Sequence, residues 1–214
     1  MTDETSRPPD TAAPEIDLIE AKPAYEGYGR VRRYLFRHRR FDGTWSSAVG
    51  RELFESGDAV VVLPYDPVRD EVVLVEQVRV APLARNEPAS LLECIAGRIG
   101  RGESPAAVAR KEATEEAACP LGELIAMGSY FSSPGIFAEL IHYFCARTSS
   151  EGLGGVHGLA EEDEDIRVHV LSTRAAFDAL TEGRIRSGPA VIALQWLGLY
   201  RDAVRAAWTQ SEDA

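Results

Sequence analysis

The chain has 214 residues, enough for one domain of ordinary size, or one domain with a small annex. Its 45% hydrophobic and 27% charged residues are the balance of a soluble globular protein rather than a disordered one. With 23 basic and 34 acidic residues it carries a formal charge of −11, which argues against sequence-independent binding to nucleic-acid phosphates.

Residues 1 to about 15, MTDETSRPPDTAAPE, read as a disordered tail, with prolines among threonine, aspartate and alanine. They have neither the basic start nor the apolar stretch of a secretory signal. No apolar run reaches the ~18 residues that span a bilayer, so no membrane partner is expected. Cys94, Cys119 and Cys145 are odd in number, sit in apolar surroundings and lack a CxxC spacing. Buried, reduced thiols in a cytoplasmic protein follow.

From Arg30 to Phe41 bulky and basic residues alternate imperfectly, which predicts a strand with a bulge or twist. Asp42-Gly43 predicts a hairpin turn, and Trp45–Phe54 its return strand. Residues 16–56 are therefore expected to form a small antiparallel β-domain. Residues 57–214 form the main domain. Ala59–Tyr65 reads as a buried strand, Asp66-Pro67 as a turn, and Glu71–Val78 as the partner strand. Leu91–Ala96 is a further strand. Ser104 caps and Pro105 opens a helix running to Ala118, and Pro120 stops it. Strands follow near Ile125–Phe131, Leu140–Ala146 and Ile166–Leu171, separated by a long loop over 148–165. Helices near Thr173–Glu182 and Pro189–Trp208 close the chain. Strands and helices mix without strict alternation, which favours an α+β class.

The chemistry concentrates at Gly97–Glu116. Glu112 and Glu116 stand four apart on one helical face, with Glu115 beside them. Like charges at this spacing cost roughly 0.2–0.5 kcal/mol per pair. A solvated acidic face, with Lys111 paired to Glu115, tolerates that cost. Convergence on hard divalent cations offsets it, because Mg²⁺ takes oxygen ligands and retains water and substrate phosphate. The lead-in glycines Gly97, Gly100 and Gly102 permit tight turns. A backbone carbonyl near Ala96 can then approach the same ions.

This segment resembles the Nudix box: glycine, five residues, glutamate, seven residues, then Arg-Glu-x-x-Glu-Glu-x-Gly. It matches at Gly97, Glu103, Glu112, Glu115 and Glu116. Lys111 replaces the usual arginine and loses its bidentate fork. Ala118 replaces the usual glycine. A left-handed helix end would strain alanine by ~1–2 kcal/mol, so the helix is expected to run on towards Pro120. Leu91–Gly97, Ser132–Gly135, Val156–Val170 and Ala190–Trp196 extend the resemblance to the ADP-ribose branch of the family, over roughly residues 25–208.

The resemblance implies a Nudix fold, a mixed sheet between helices, and Mg²⁺-dependent hydrolysis of ADP-ribose to AMP and ribose 5-phosphate. It implies more than one ion, Mg²⁺ or a substitute such as Mn²⁺, held by Glu112, Glu116, Glu164 and the Ala96 carbonyl. Glu115 is a further candidate ligand, Glu103 a brace of the loop–helix junction, and Glu162 the general base. A carboxylate suits that role, since a bound cation lowers the pKa of the water it deprotonates. Substrate contacts are implied at Tyr28, Arg51, Glu52, Arg79, Arg98, Ser133, Gly135 and Glu139. Tyr28 would stack adenine from the partner subunit of a homodimer. His142 and His169 read as structural, and His157 receives no role. The box handles only the diphosphate, so another nucleotide sugar such as GDP-mannose stays open. A non-catalytic ADP-ribose sensor also stays open, though it would have no need of a base.

Overall fold

The computed structural model describes residues 15–210, so residues 1–14 of the expected tail lie outside the described residues. The chain divides into two units.

The first unit ends at Ser56 and includes Ser133–Ala138. Its sheet has the order β1-β2-β3, formed by β1 (Ile16–Glu26), β2 (Arg30–His38) and β3 (Val49–Glu55), all antiparallel. The expected irregularity is present, but on β1: the pairing with β2 skips Ile19 and Ala24. The turn forms at Asp42-Gly43, with Gly43 at φ 79° and the Asp42 carboxylate accepting from the Thr44 N–H and hydroxyl. The return strand starts later than expected, at Val49. Before it, Trp45 makes an isolated bridge with Arg39 and packs under the Arg37 and Arg39 guanidiniums at 4.9 and 4.5 Å. An uninterrupted main domain over 57–214 does not survive. Ser133–Ala138 joins the first unit because the Phe54 backbone bonds Ile136 and Ala138 and its ring packs on Phe137.

The second unit holds an eight-stranded mixed sheet. Its main path runs from β10 (Gly155–His157) through β11 (Ile166–Ser172), β5 (Glu71–Val78), β4 (Ala59–Asp66) and β9 (Leu140–Arg147) to β8 (Leu124–Phe131). The β4–β9 pair is parallel. The single strand expected over Leu91–Ala96 is two, β6 (Ser90–Glu93) on β5 and β7 (Ile95–Arg98) on β4. The break falls at buried Cys94, where the chain crosses from one neighbour to the other.

Alternation along β4 builds both faces of the core. Val61, Leu63 and Tyr65 pack with Leu194, Leu197 and Trp208 of helix α4 (Gly188–Gln210), beside α3 (Thr173–Thr181). Val60 and Val62 pack with Val108, Ala109, Ala113 and Ala117 of α2 (Pro105–Ala117). The mixed sheet between helices is the α+β arrangement expected. A short helix, α1 (Val80–Leu83), follows β5 and was not foreseen. All three cysteines are buried and free.

Helix α2 opens as expected: the Ser104 hydroxyl accepts from the Ala107 N–H and Pro105 occupies the first turn. Its end is a correction. The helix does not run on; Ala118 takes the left-handed conformation (φ 46°, ψ 35°). The Ala118 and Cys119 N–H groups then close on the Thr114 and Ala113 carbonyls, and Cys119 is buried. Those bonds and that burial offset the strain on the alanine. Ala118 is exposed, so Ala118→Gly loses no packing. It should stabilise the protein by up to about 1 kcal/mol, the relieved strain less the entropy of glycine. Urea unfolding with no gain would contradict this.

The turn after β4 is anchored by Asp66, 3% exposed. Its carboxylate accepts from the backbone N–H of Val68, Arg69 and Ser150 and from the Ser150 hydroxyl. Burial pushes this carboxyl up, but the bonds, led by the Arg69 and Ser150 N–H groups, outweigh it and hold it below its ordinary value. A lowered folded-state pKa contributes stability above the unfolded value near ~4, lost as pH falls through the folded value. Asp66→Asn should therefore cost about 2–3 kcal/mol at pH 7. Urea melts should show the gap to the parent narrowing progressively as pH falls below ~4, and a gap constant with pH would refute the charge-based account.

Candidate active site

The small side chains Ala109, Ala113 and Ala117 recur every four residues on the sheet side of α2, so the helix lies close on β4 and β7. The adjoining positions Glu112 and Glu116 are thereby carried onto the β7 backbone. Glu116 is only 4% exposed, and its Oε2 accepts from the Ala96 N–H at 3.3 Å. Gly97 makes room for Glu112: a Cβ at Gly97 would stand 2.2 Å from the Glu112 carboxyl. Lys111 lies 3.8 Å from Glu112 and 3.5 Å from Glu115, and those carboxylates raise its pKa.

Burial pushes the Glu116 carboxyl up to about 8, and the Glu112 and Glu164 carboxylates add to the rise. The Ala96 N–H and the Arg79 guanidinium oppose it without cancelling it. The burial of Glu116 sets it apart from a solvated acidic face. Glu103 braces the entry to the helix as expected, its Oε2 accepting from the Gly100 N–H at 2.8 Å.

The acidic loop is more structured than a solvated run. β10 pairs with β11, and Ala160–Glu162 forms a 3-10 turn ended by Asp163 in the left-handed conformation. Glu164 closes the turn: its Oε2 accepts from the Leu159 N–H at 3.0 Å. The Gly158 N–H reaches the Glu115 carbonyl of α2 at 3.3 Å. Gly158, at φ 111°, has no space for a side chain, since a Cβ would meet Glu164 Cβ at 2.6 Å and the Glu164 carbonyl oxygen at 2.9 Å. The side chain of Glu162, the expected base, lies outside the described residues.

The other expected residues fall in two groups. In the second unit, Arg79 ends β5 and donates from Nε to Glu93 at 2.6 Å. Arg98 ends β7, exposed, and Glu139 precedes β9, its carbonyl accepting from the Ser132 N–H. In the first unit, Tyr28 is 88% exposed in the β1–β2 turn. Arg51 borders a surface pocket of about 330 Å³ with Tyr34, Phe36, Leu53 and Gly135. Arg51 pairs with Tyr34 and Glu52 with Arg33, so the two neighbours stand on opposite faces of the sheet. The Ser133 carbonyl accepts from Ile136 and Phe137. His142 bonds Ser129, and His169 bonds Glu76, in keeping with structural roles.

The donor set fits hard cations. Glu112 and Glu164 lie near enough to buried Glu116 to raise its pKa, and a cation sharing its enclosure would keep Glu116 charged at neutral pH. As they stand, no three His, Cys, Asp or Glu side chains among the described residues close into a cage. Glu116 and Glu164 each spend one oxygen on a backbone N–H. Sequence reasoning missed the Arg79–Glu93 pair and the Gly158–Glu115 tie; Gly158 beside the acidic run was the available signal for the second.

No family model matches the chain. An ADP-ribose pyrophosphatase of Escherichia coli K12 is 44% identical to it, over 91% of this chain and 93% of that protein. One of Haemophilus influenzae is 41% identical, over 92% of each. A GDP-mannose pyrophosphatase of Shigella flexneri is 34% identical over 86% of this chain and 95% of its own length. A solved structure of an ADP compounds hydrolase superposes with a TM-score of 0.66 at 16% identity, covering 91% of this chain and 99% of its own. The chain belongs to the Nudix hydrolase family, and its similar relatives are the ADP-ribose pyrophosphatases. It is an enzyme of the hydrolase class.

The loop geometry gives a direct test. Gly158→Ala forces Glu164 away from Leu159 and pulls the loop off Glu115. Turnover should fall by at least about tenfold, while far-UV circular dichroism stays that of the parent. Unchanged turnover would show that the loop's position is irrelevant to the site.

Proposed function

We propose that the chain hydrolyses the diphosphate of ADP-ribose to AMP and ribose 5-phosphate. The observation that carries this reading is Glu116, a carboxylate buried against β7 with Glu112 and Glu164 near enough to raise its pKa. The 41–44% identical relatives named ADP-ribose pyrophosphatase support the substrate. Glu112, Glu116, Glu164 and the Ala96 carbonyl would hold Mg²⁺ or a similar divalent cation, more than one per site. When bound, such ions neutralise the diphosphate and lower the pKa of water.

The chain's own residues do the rest. Arg79, Nε engaged by Glu93, offers its two terminal nitrogens to phosphate oxygens. Glu162, from the turn that Glu164 closes, takes the proton of the attacking water. Arg98 and Glu139, also in the second unit, contribute further substrate contacts. A homodimer is part of this reading. The first unit exposes Ile16, Leu18, Ile19 and Tyr25 by half or more, an apolar surface that suits a second copy. No helix among the described residues is long and apolar enough to cross a membrane, and we place the protein in the cytoplasm.

With ADP-ribose and Mg²⁺, chromatography should find AMP and ribose 5-phosphate, and chelation should abolish both. Glu162→Gln should lower kcat by ~10²–10⁴ with substrate affinity nearly kept. Glu161→Gln, an equal change of loop charge, should alter kcat little. Heat of binding without AMP would make the protein a sensor. Preferred turnover of GDP-mannose would move it to the other group of relatives, and equal losses in the two variants would place the base elsewhere.

A further inference from the structure

We propose that Glu93 is a positioning residue for substrate binding. It fixes the Arg79 guanidinium so that its terminal nitrogens face the diphosphate. The inference rests on the reading of Arg79 as a phosphate contact.

Three observations place it. The Arg79 backbone is pinned where β5 ends, its N–H donating to the Ala89 carbonyl at 2.8 Å. Its side chain is pinned at Nε, 2.6 Å from Glu93 Oε2. Glu93 is itself held in β6 opposite Val75, its side chain 13% exposed against 41% for Arg79. The carboxylate is thus the enclosed, rigid partner and the guanidinium the accessible one.

The geometry decides which edge of the arginine is offered. A guanidinium bound through Nε keeps the edge formed by its two terminal nitrogens. That edge matches two oxygens of a phosphate group. Arg79 also lies near enough to Glu116 to lower its pKa. Without Glu93, a flexible arginine beside buried Glu116 has a competing carboxylate to fold onto. Glu93 therefore orders the cation before substrate arrives, which lowers the entropy lost on binding. A part-exposed ion pair with no further task adds little to stability, so a purely structural role predicts almost no kinetic effect.

The test is a double-mutant cycle on the full chain with ADP-ribose and Mg²⁺. Arg79→Ala should raise KM about tenfold. Glu93→Gln, which keeps shape and loses charge, should raise KM roughly threefold to tenfold, with kcat within about twofold of the parent. Arg79→Ala with Glu93→Gln should match Arg79→Ala alone, because Glu93 then has nothing to position. If Glu93→Gln raises KM by the same factor in both backgrounds, Glu93 acts independently and the proposal is overturned. It is also overturned if Glu93→Gln lowers kcat and leaves KM unchanged. If Arg79→Ala leaves KM unchanged while the parent still forms AMP, the phosphate role of Arg79 fails and takes the proposal with it, while the hydrolase reading stands.

Discussion

A carboxylate with 4% exposure is costly to keep charged, and the second unit is arranged around that cost at Glu116. The alanines of α2 bring the helix close enough to β7 for the contact with the Ala96 N–H. Gly97 gives Glu112 its place, and Ser104 and Pro105 set where the helix begins. Each device has a local physical reason, and together they deliver like charges to one place. Such crowding relaxes by protonation or by binding a cation. The cation proposed above would take the second route.

The acidic loop extends the same arrangement. Its anchors are backbone groups: the Gly158 N–H on Glu115 and the Leu159 N–H on Glu164. The Leu159 N–H engages only one of the two Glu164 carboxylate oxygens. The anchors also couple the loop to α2, so the helix that carries Glu112 and Glu116 holds the loop that carries Glu162. Glycine is required there on two grounds, its φ of 111° and its contact with the Glu164 backbone.

Much of this was legible in the residues. The runs Ala59–Tyr65 and Glu71–Val78, the Asp-Gly turn and the Ser-Pro helix start carry their own local signals, and each element formed where expected. The glutamate spacing of α2 marked the site. What escaped depends on tertiary context. Ile95 continues Leu91–Leu92 as an apolar strand pattern, and only the sheet decides that β6 joins β5 while β7 joins β4. Ala118 has the wrong propensity for a left-handed helix end, and burial of Cys119 overrides it. Ser133–Ala138 lies far along the chain from β3, so its pairing with Phe54 has no local sign. Glu93 sits in a strand where a polar residue reads as surface, and its partner is fourteen positions away.

A protein of net charge −11 faces a difficulty with a diphosphate, because its own field opposes the ligand. Screening limits how far that field acts: charges beyond ~8 Å contribute little at physiological ionic strength. Within that radius the balance differs from the whole-chain count. In the first unit Arg32, Arg37 and Arg39 lie beside Glu55, Asp17 and Glu15, and so neutralise rather than attract. Arg79 is also paired, but the bond to Glu93 is made through Nε. The chain thus needs its cations concentrated rather than numerous. An oriented guanidinium and the divalent ions proposed at Glu112, Glu116 and Glu164 would act against the local excess of acid. On the proposed reading the excess of acid is a condition of the site rather than an obstacle, since carboxylates are what would gather the metal.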